Sequence, residues 1–299
     1  LYTLACGIFS ALGYSKTHFI FLVISSVLNI GLDLLFVCVF HLDVAGAAWA
    51  TLISQAISCV LTVIVLMIKL GAFKTEEKPK IFDKVIFKAL VLASIPVILQ
   101  QSFVSVGNLF IQSLINSFEM TAVTAASAAA VKLNTFSVTM FTTLAGGVSN
   151  YTAQNLGAGK TDRVRSGFKS GLITAEIVAV IISLISVIFP DQLIGLFVDN
   201  PTETVIATGR SFLRIISPFY FTVCAKLIAD NILRGSGTMV YFMISTFTDL
   251  ILRVVLAYVF SGFMGVDGVW WSWPVGWGIS ACLSQIFYFK GLWLKKGSV

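Results

Sequence analysis

Charge is scarce in this 299-residue chain: Asp, Glu, Lys and Arg make up 11% of it, against about 25% in a soluble domain. Hydrophobic residues account for 57%, and the mean hydropathy is +0.94. That balance excludes an ordinary water-soluble globule. Histidine is nearly missing. His18 and His41 stand at opposite ends of one apolar run, so neither is placed to carry protons at mid-membrane depth. The five cysteines (Cys6, Cys38, Cys59, Cys224 and Cys282) lie inside apolar segments without C-x-x-C spacing or a nearby histidine. They read as small buried hydrophobes, which excludes a disulfide framework and a zinc site. There is no HExxH, no GxSxG and no Walker loop, and LGAGK at 156–160 lacks both P-loop spacing and a preceding strand. An enzyme and an ATP-driven pump are thereby set aside, and no cofactor or metal is expected.

Long apolar runs are what the chain does have. Stretches of about 18 or more such residues read as membrane-spanning helices, and eight are expected, at 19–40, 45–69, 85–115, 120–150, 167–189, 205–233, 239–261 and 267–294. Residues 1–12 read as the tail of one more, and a start inside an apolar run leads to the expectation of a missing N-terminal region. The short alternating segments of a β-barrel are not seen. Pro96 marks a kink site in the long third run. The formal charge of +6 does not indicate nucleic acid, because the basic residues are segregated. Fifteen of the twenty Lys and Arg lie at alternate connections: Lys16; Lys69, Lys74, Lys78, Lys80, Lys84 and Lys88; Lys160, Arg163, Arg165 and Lys169; Arg234; Lys290, Lys295 and Lys296. The other connections, around Asp43, Glu119, 191–203 and Asp267, hold none. This positive-inside pattern puts the basic loops and the C-terminus on the cytoplasmic side of the cell membrane.

The chain also nearly repeats itself. ISSVLNIGLDLLFVCVF (24–40) aligns without a gap on ISTFTDLILRVVLAYVF (244–260) at a shift of 220, placing Asn29 on Asp249 and Asp33 on Arg253. At a shift near 222 the match continues, Gly46 on Gly268 and Trp49 on Trp271. Both copies follow Gly-containing turns on the basic side, so they enter the membrane in the same direction. Such a repeat implies two helical bundles related by an axis along the membrane normal, with the hydrophilic stretch KLGAFKTEEKPK between the copies as linker.

Several stretches carry a family resemblance. GYSKTHFIFLVISSVLNIGLDLLFVCVFHLDVAGAAWATLISQ resembles the fifth and sixth spans of the multidrug and toxic compound extrusion (MATE) family. GGVSNYTAQNLGAGKTDRVRSG (146–167) resembles that family's Gly-rich cytoplasmic loop, and LRIISPFYF followed by NILRGSG its tenth span and exit turn. The resemblance covers almost the whole chain and implies an all-α polytopic membrane protein, eight transmembrane helices plus a partial one out of twelve in two bundles. It implies that residues 1–72 are the last helices of the N-terminal bundle, 73–84 a cytoplasmic linker and 85–299 a six-helix bundle. The implied activity is export of amphipathic or cationic compounds in exchange for H+ or Na+, with access alternating as the bundles rock. The implied surroundings are small-molecule substrates, membrane lipid and the missing N-terminal helices. Two departures stand out. The family's first-span Asp is absent, and the stretch after Pro96 reads Val-Ile-Leu-Gln100-Gln101 where some members have a Glu. The alternatives are a lipid-linked saccharide flippase of the same superfamily and a non-transporting scaffold.

Nine charges lie within the apolar runs: Asp33, Lys132, Glu176, Arg210, Arg214, Lys226, Asp230, Asp249 and Arg253. An Asp or Arg at a helix centre costs roughly 2.5–3.5 kcal/mol, so Asp249 and Arg253 together ask for about 5–7 kcal/mol before compensation. Their i,i+4 spacing puts them on one face within reach of each other, and Lys226 and Asp230 repeat the spacing one helix earlier. These four form the principal ion-coupling and substrate candidate; a static ion-pair network is the alternative. Asp33, Glu176 and Lys132 are further candidates, Asp33 either paired with Lys132 across helices or titrating. Arg210 and Arg214 fit snorkelling at a span end. Gln100, Gln101, Asn108 and Gln112 read as a polar stripe that either bonds helices together or, with Asn29, lines a cavity. Trp270, Trp273 and Trp277 share a face, as core or membrane-interface belt or, with Trp273 in the cavity, as an aromatic wall for cations.

Overall fold

The computed structural model describes residues 2–72, 82–118, 121–198 and 201–294. Most of the expected linker, together with Glu119, Lys295 and Lys296, lies outside the described residues. All described regular structure is helical, in two compact units, Leu1–Phe82 and Asp83–Val299.

The first unit holds α1 (Tyr2–Ala11), α2 (Ser15–Asp33) and α3 (Asp43–Gly71). A π-helical stretch, Leu34–Val39, extends α2 beyond Asp33. α3 packs through a column of mostly small residues spaced one turn apart, Gly46, Ala50, Ser54, Ser58, Thr62 and Leu66. Small side chains let helix backbones approach closely without a hydrophobic driving force, which lipid does not supply. Thr62 Oγ1 donates to the Ser58 carbonyl at 2.6 Å and Ser54 Oγ to the Thr51 carbonyl at 3.0 Å, while Ser25 Oγ of α2 crosses to the Ser54 carbonyl at 3.4 Å.

The second unit holds α4 (Lys84–Asn116), α5 (Thr121–Gly157), α6 (Thr161–Ile188), α7 (Pro190–Gly195), α8 (Glu203–Ile216), α9 (Tyr220–Gly235), α10 (Met239–Met264) and α11 (Val266–Phe289). Asp83 starts α4 by accepting from the Val85 and Ile86 amides at 2.7 and 3.2 Å, which satisfies two N–H groups that have no partner within the helix. Pro96 sits inside α4 without ending it. Pro218 falls in a 3-10 turn, Ser217–Phe219, that separates α8 from α9. The α10–α11 corner is a single residue, Gly265, at φ +59°, a conformation costly for any residue with a Cβ.

α9 is the axis of this unit, packed against α5, α6, α10 and α11. Ten of its sixteen residues are buried, including both charged ones of its middle, so its environment is protein rather than lipid. α4 contrasts with it. It packs chiefly on α10, and side chains such as Leu109 and Ile98 remain exposed in the manner of a hydrocarbon-facing surface. Among the described residues, six helical segments are long and apolar enough to cross a membrane: Phe19–Val39, Asp43–Gly71, Lys84–Asn116, Thr161–Ile188, Glu203–Gly235 and Met239–Met264. α5 and α11 fall short in apolarity, α5 through its Ala, Ser and Thr content and α11 through Gly, Ser and Trp.

Candidate functional site

α9, α10 and α11 bring four charges into one buried cluster. Lys226, Asp230, Asp249 and Arg253 are each at most 8% exposed. The Lys226 ammonium donates to Asp230 Oδ2 at 3.0 Å and lies 3.8 Å from Asp249 Oδ2, so one cation bridges carboxylates of two helices. Asp230 is further held by α11: Ser284 Oγ donates to its Oδ1 at 2.6 Å, and Ser245 Oγ of α10 to its Oδ2 at 3.3 Å. Charge-assisted bonds of this kind are short and are needed where water is excluded.

The direct pairing expected from the i,i+4 spacing of Asp249 and Arg253 is not formed. No ion pair joins them among the described residues. Arg253 instead lies over the Trp273 ring of α11, 4.9 Å from its centroid, a cation–π contact strengthened by dry surroundings. Asp249 turns one oxygen to Lys226; its other oxygen and Arg253 Nε have no hydrogen-bond partner among the described residues. Spacing along one helix decides who is within reach; the neighbouring helix decides who is chosen. Gly276 of α11 makes room here, because a Cβ at that position would stand 3.1 Å from Asp249 Oδ1.

The other sequence candidates lie apart from this cluster. Glu176 is half-buried on α6, with no ion-pair partner among the described residues. Lys132 is exposed on α5 and forms no ion pair among the described residues, including none with Asp33. Asp33 and Asn29 are half-buried in the first unit, and Asp33 Oδ1 and Asn29 Nδ2 have no hydrogen-bond partner among the described residues. On α4, Gln100 is half-buried and Gln101, Asn108 and Gln112 are exposed; Gln112 donates to Asn116 on its own helix at 2.9 Å. Trp270, Trp273 and Trp277 are buried among Phe212, Tyr220 and one another, which makes them core, with Trp273 also the platform for Arg253. Arg210 grips Asp191 of α7 through two bonds, at 2.7 and 2.6 Å. That guanidinium holds the Asp191 carboxyl below its ordinary pKa. Ser245, Ser284 and Gly276 are the residues that sequence reasoning missed. Ser245 stands one turn before Asp249 and Ser284 two turns after Gly276, spacings visible in the sequence, but nothing in it shows which faces meet.

A helical chain with six such apolar segments and a charged cluster turned inward is a multi-pass membrane protein. The chain belongs to the MatE family, a transporter family rather than an enzyme family, whose profile matches residues 96–259. It is 28% identical over 295 residues to the probable multidrug resistance protein YpnP of Bacillus subtilis, and 27% identical over 298 residues to YoeA of the same organism. These alignments cover 98% and 95% of this chain but 65% and 63% of the relatives, so the chain spans somewhat under two thirds of their length. Among solved structures it is similar to an outward-facing multidrug resistance MATE family transporter (TM-score 0.87, 20% identity, 97% of this chain and 65% of the other). A MOP superfamily transporter from Pyrococcus furiosus shares the fold as well (TM-score 0.89, 19% identity, 100% and 67%).

Proposed function

We propose that this chain forms the larger part of a secondary active exporter that moves amphipathic, cationic compounds outward in antiport with H+ or Na+. The observation that carries this reading is the inward cluster of Lys226, Asp230, Asp249 and Arg253 in a MatE-family chain. Burying four charges is costly, and such groups within spans mark ion and substrate paths. Here two carboxylates and two cations sum to zero, with one buried carboxylate oxygen left open. A neutral cluster accepts one further positive charge and, once charged, disfavours a second; an incoming ion and an outgoing cation therefore compete. The same neutrality speaks against a pyrophosphate-bearing cargo. The names of the relatives point the same way, since both are called probable multidrug resistance proteins.

In the proposed topology α5 and α11 complete eight spans, with a partial one before them. Residues 1–72 are the last helices of a first bundle, and residues 85–299 make up a second. Basic loops and the C-terminus face the cytoplasm of a cell whose plasma membrane holds the protein.

Ethidium efflux from cells tests the reading. Asp230→Asn and Asp249→Asn, each at unchanged membrane level, are expected to slow efflux at least tenfold. Efflux retained in both variants removes the cluster from the mechanism, and no efflux by the wild type rejects export.

A further inference from the structure

The cluster is not an open acidic seat. Three of its four carboxylate oxygens are already engaged: Asp230 Oδ1 by Ser284, Asp230 Oδ2 by Lys226 and Ser245, and Asp249 Oδ2 by Lys226. Of the four, only Asp249 Oδ1, in a residue 8% exposed, has no partner among the described residues. A metal cation needs a ring of oxygen ligands to replace its hydration. No group of three or more His, Cys, Asp or Glu placed to hold one occurs among the described residues.

We propose that Lys226 is a tethered cation that occupies the carboxylate pair and thereby restricts the coupling ion to the proton. The proposal rests on the exporter reading and names its coupling ion. A sodium ion arriving here meets one free carboxylate oxygen, a fixed ammonium beside it, and Arg253 on the same helix face; the cluster would go from neutral to a net positive charge without gaining a full carboxylate coordination shell. A proton needs none. It forms an O–H bond at Asp249 Oδ1, raises the cluster by one charge, and leaves by breaking the same bond to water. Cargo enters the neutral form and is opposed by the protonated one.

Among the described residues, no other element places a free charge against Lys226. α9 contributes Asp230, and α10 contributes Asp249 and Arg253. From α11 come Ser284 on Asp230 and Gln285, which donates to the Ala225 carbonyl at 2.8 Å. The one charged residue of α5, Lys132, is exposed, and Glu176 of α6 forms no ion pair among the described residues.

Thermal unfolding of the full purified chain in sodium chloride and in choline chloride of equal strength tests this, since an ion that binds the folded form raises the midpoint. The wild type is expected to melt alike in both salts. Lys226→Gln, whose cluster carries one net negative charge, is expected to gain a sodium-specific rise and to bind sodium at least tenfold more tightly. Lys226→Gln combined with Asp230→Asn restores neutrality and is expected to lose the rise. A sodium-specific shift of equal size in the wild type, or none in a folded Lys226→Gln, overturns the proposal. Should Lys226→Gln not fold, proteoliposomes of the wild type decide. Ethidium movement driven by a pH gradient and not by a sodium gradient supports the tethered cation, and movement driven by sodium alone overturns it. Movement with neither gradient overturns the exporter reading, while the wild-type melting comparison still judges sodium binding on its own.

Discussion

The helix pairs α2–α3 and α10–α11 carry matching sequence and hold their polar residues in different surroundings. Both keep a glycine where the second helix passes the end of the first. A Cβ on Gly46 would lie 3.0 Å from Leu42 Cβ and 3.1 Å from the Phe36 backbone, and one on Gly268 would run into the Phe260 carbonyl. The glycine is kept while the corner around it differs, running through His41 at φ +52° in the first pair and through Gly265 alone in the second, and the polar positions diverge. Asp249 and Arg253 are 8% exposed, beside a lysine and on an indole. Their counterparts Asn29 and Asp33 are half-buried, with polar atoms that have no partner among the described residues. The difference teaches that a repeat transmits the fold through its glycines and leaves its polar sites free to specialise.

The sharpest way to break the comparison is to remove a charge from each copy's site. Lys226→Leu strands two buried carboxylates and is expected to cost about 3–5 kcal/mol, the usual penalty for breaking a buried ion pair, read as a lowered midpoint of thermal unfolding. Asp33→Asn is expected to stay within about 0.5 kcal/mol by the same measurement. Next come the two glycines. Gly268→Ala forces a methyl against backbone and is expected to cost about 1–3 kcal/mol, and Gly46→Ala, whose neighbours are tight but not overlapping, less. The smallest effect belongs to the exposed pair of Arg210 and Asp191. Because Arg210 lowers the Asp191 pKa, the pair's contribution is present above the ordinary carboxylate range and fades as pH falls through the lowered value. Melting midpoints of the wild type and Asp191→Asn are therefore expected to differ slightly at neutral pH and to converge in acid, and high salt is expected to shrink the gap.

Much of the helical layout was legible because apolar runs and their polar interruptions are local signals. Each of the expected runs corresponds to described helix, although 205–233 is broken at Pro218 into α8 and α9. Depth in the bundle was less legible. α4 and α9 are both apolar, yet one is a flank and the other the axis, and composition does not separate a lipid-facing side chain from a packed one. In the candidate site, Lys226 with Asp230 followed from spacing, because both partners sit on one helix. Asp249 with Arg253 did not, because Trp273 and Lys226 compete for them from other helices. Ser284 was invisible as a ligand of Asp230 for the same reason: 54 residues separate them, and only the packing of α11 on α9 closes that distance.

The stacking of Arg253 on Trp273 has a consequence for any aromatic cation that reaches this indole. The berth is taken by a resident guanidinium, so a visitor arrives by eviction rather than by filling vacant room. Each arrival would set Arg253 loose beside the open oxygen of Asp249, turning a change of tenant on the ring into a change of neighbour for the acid.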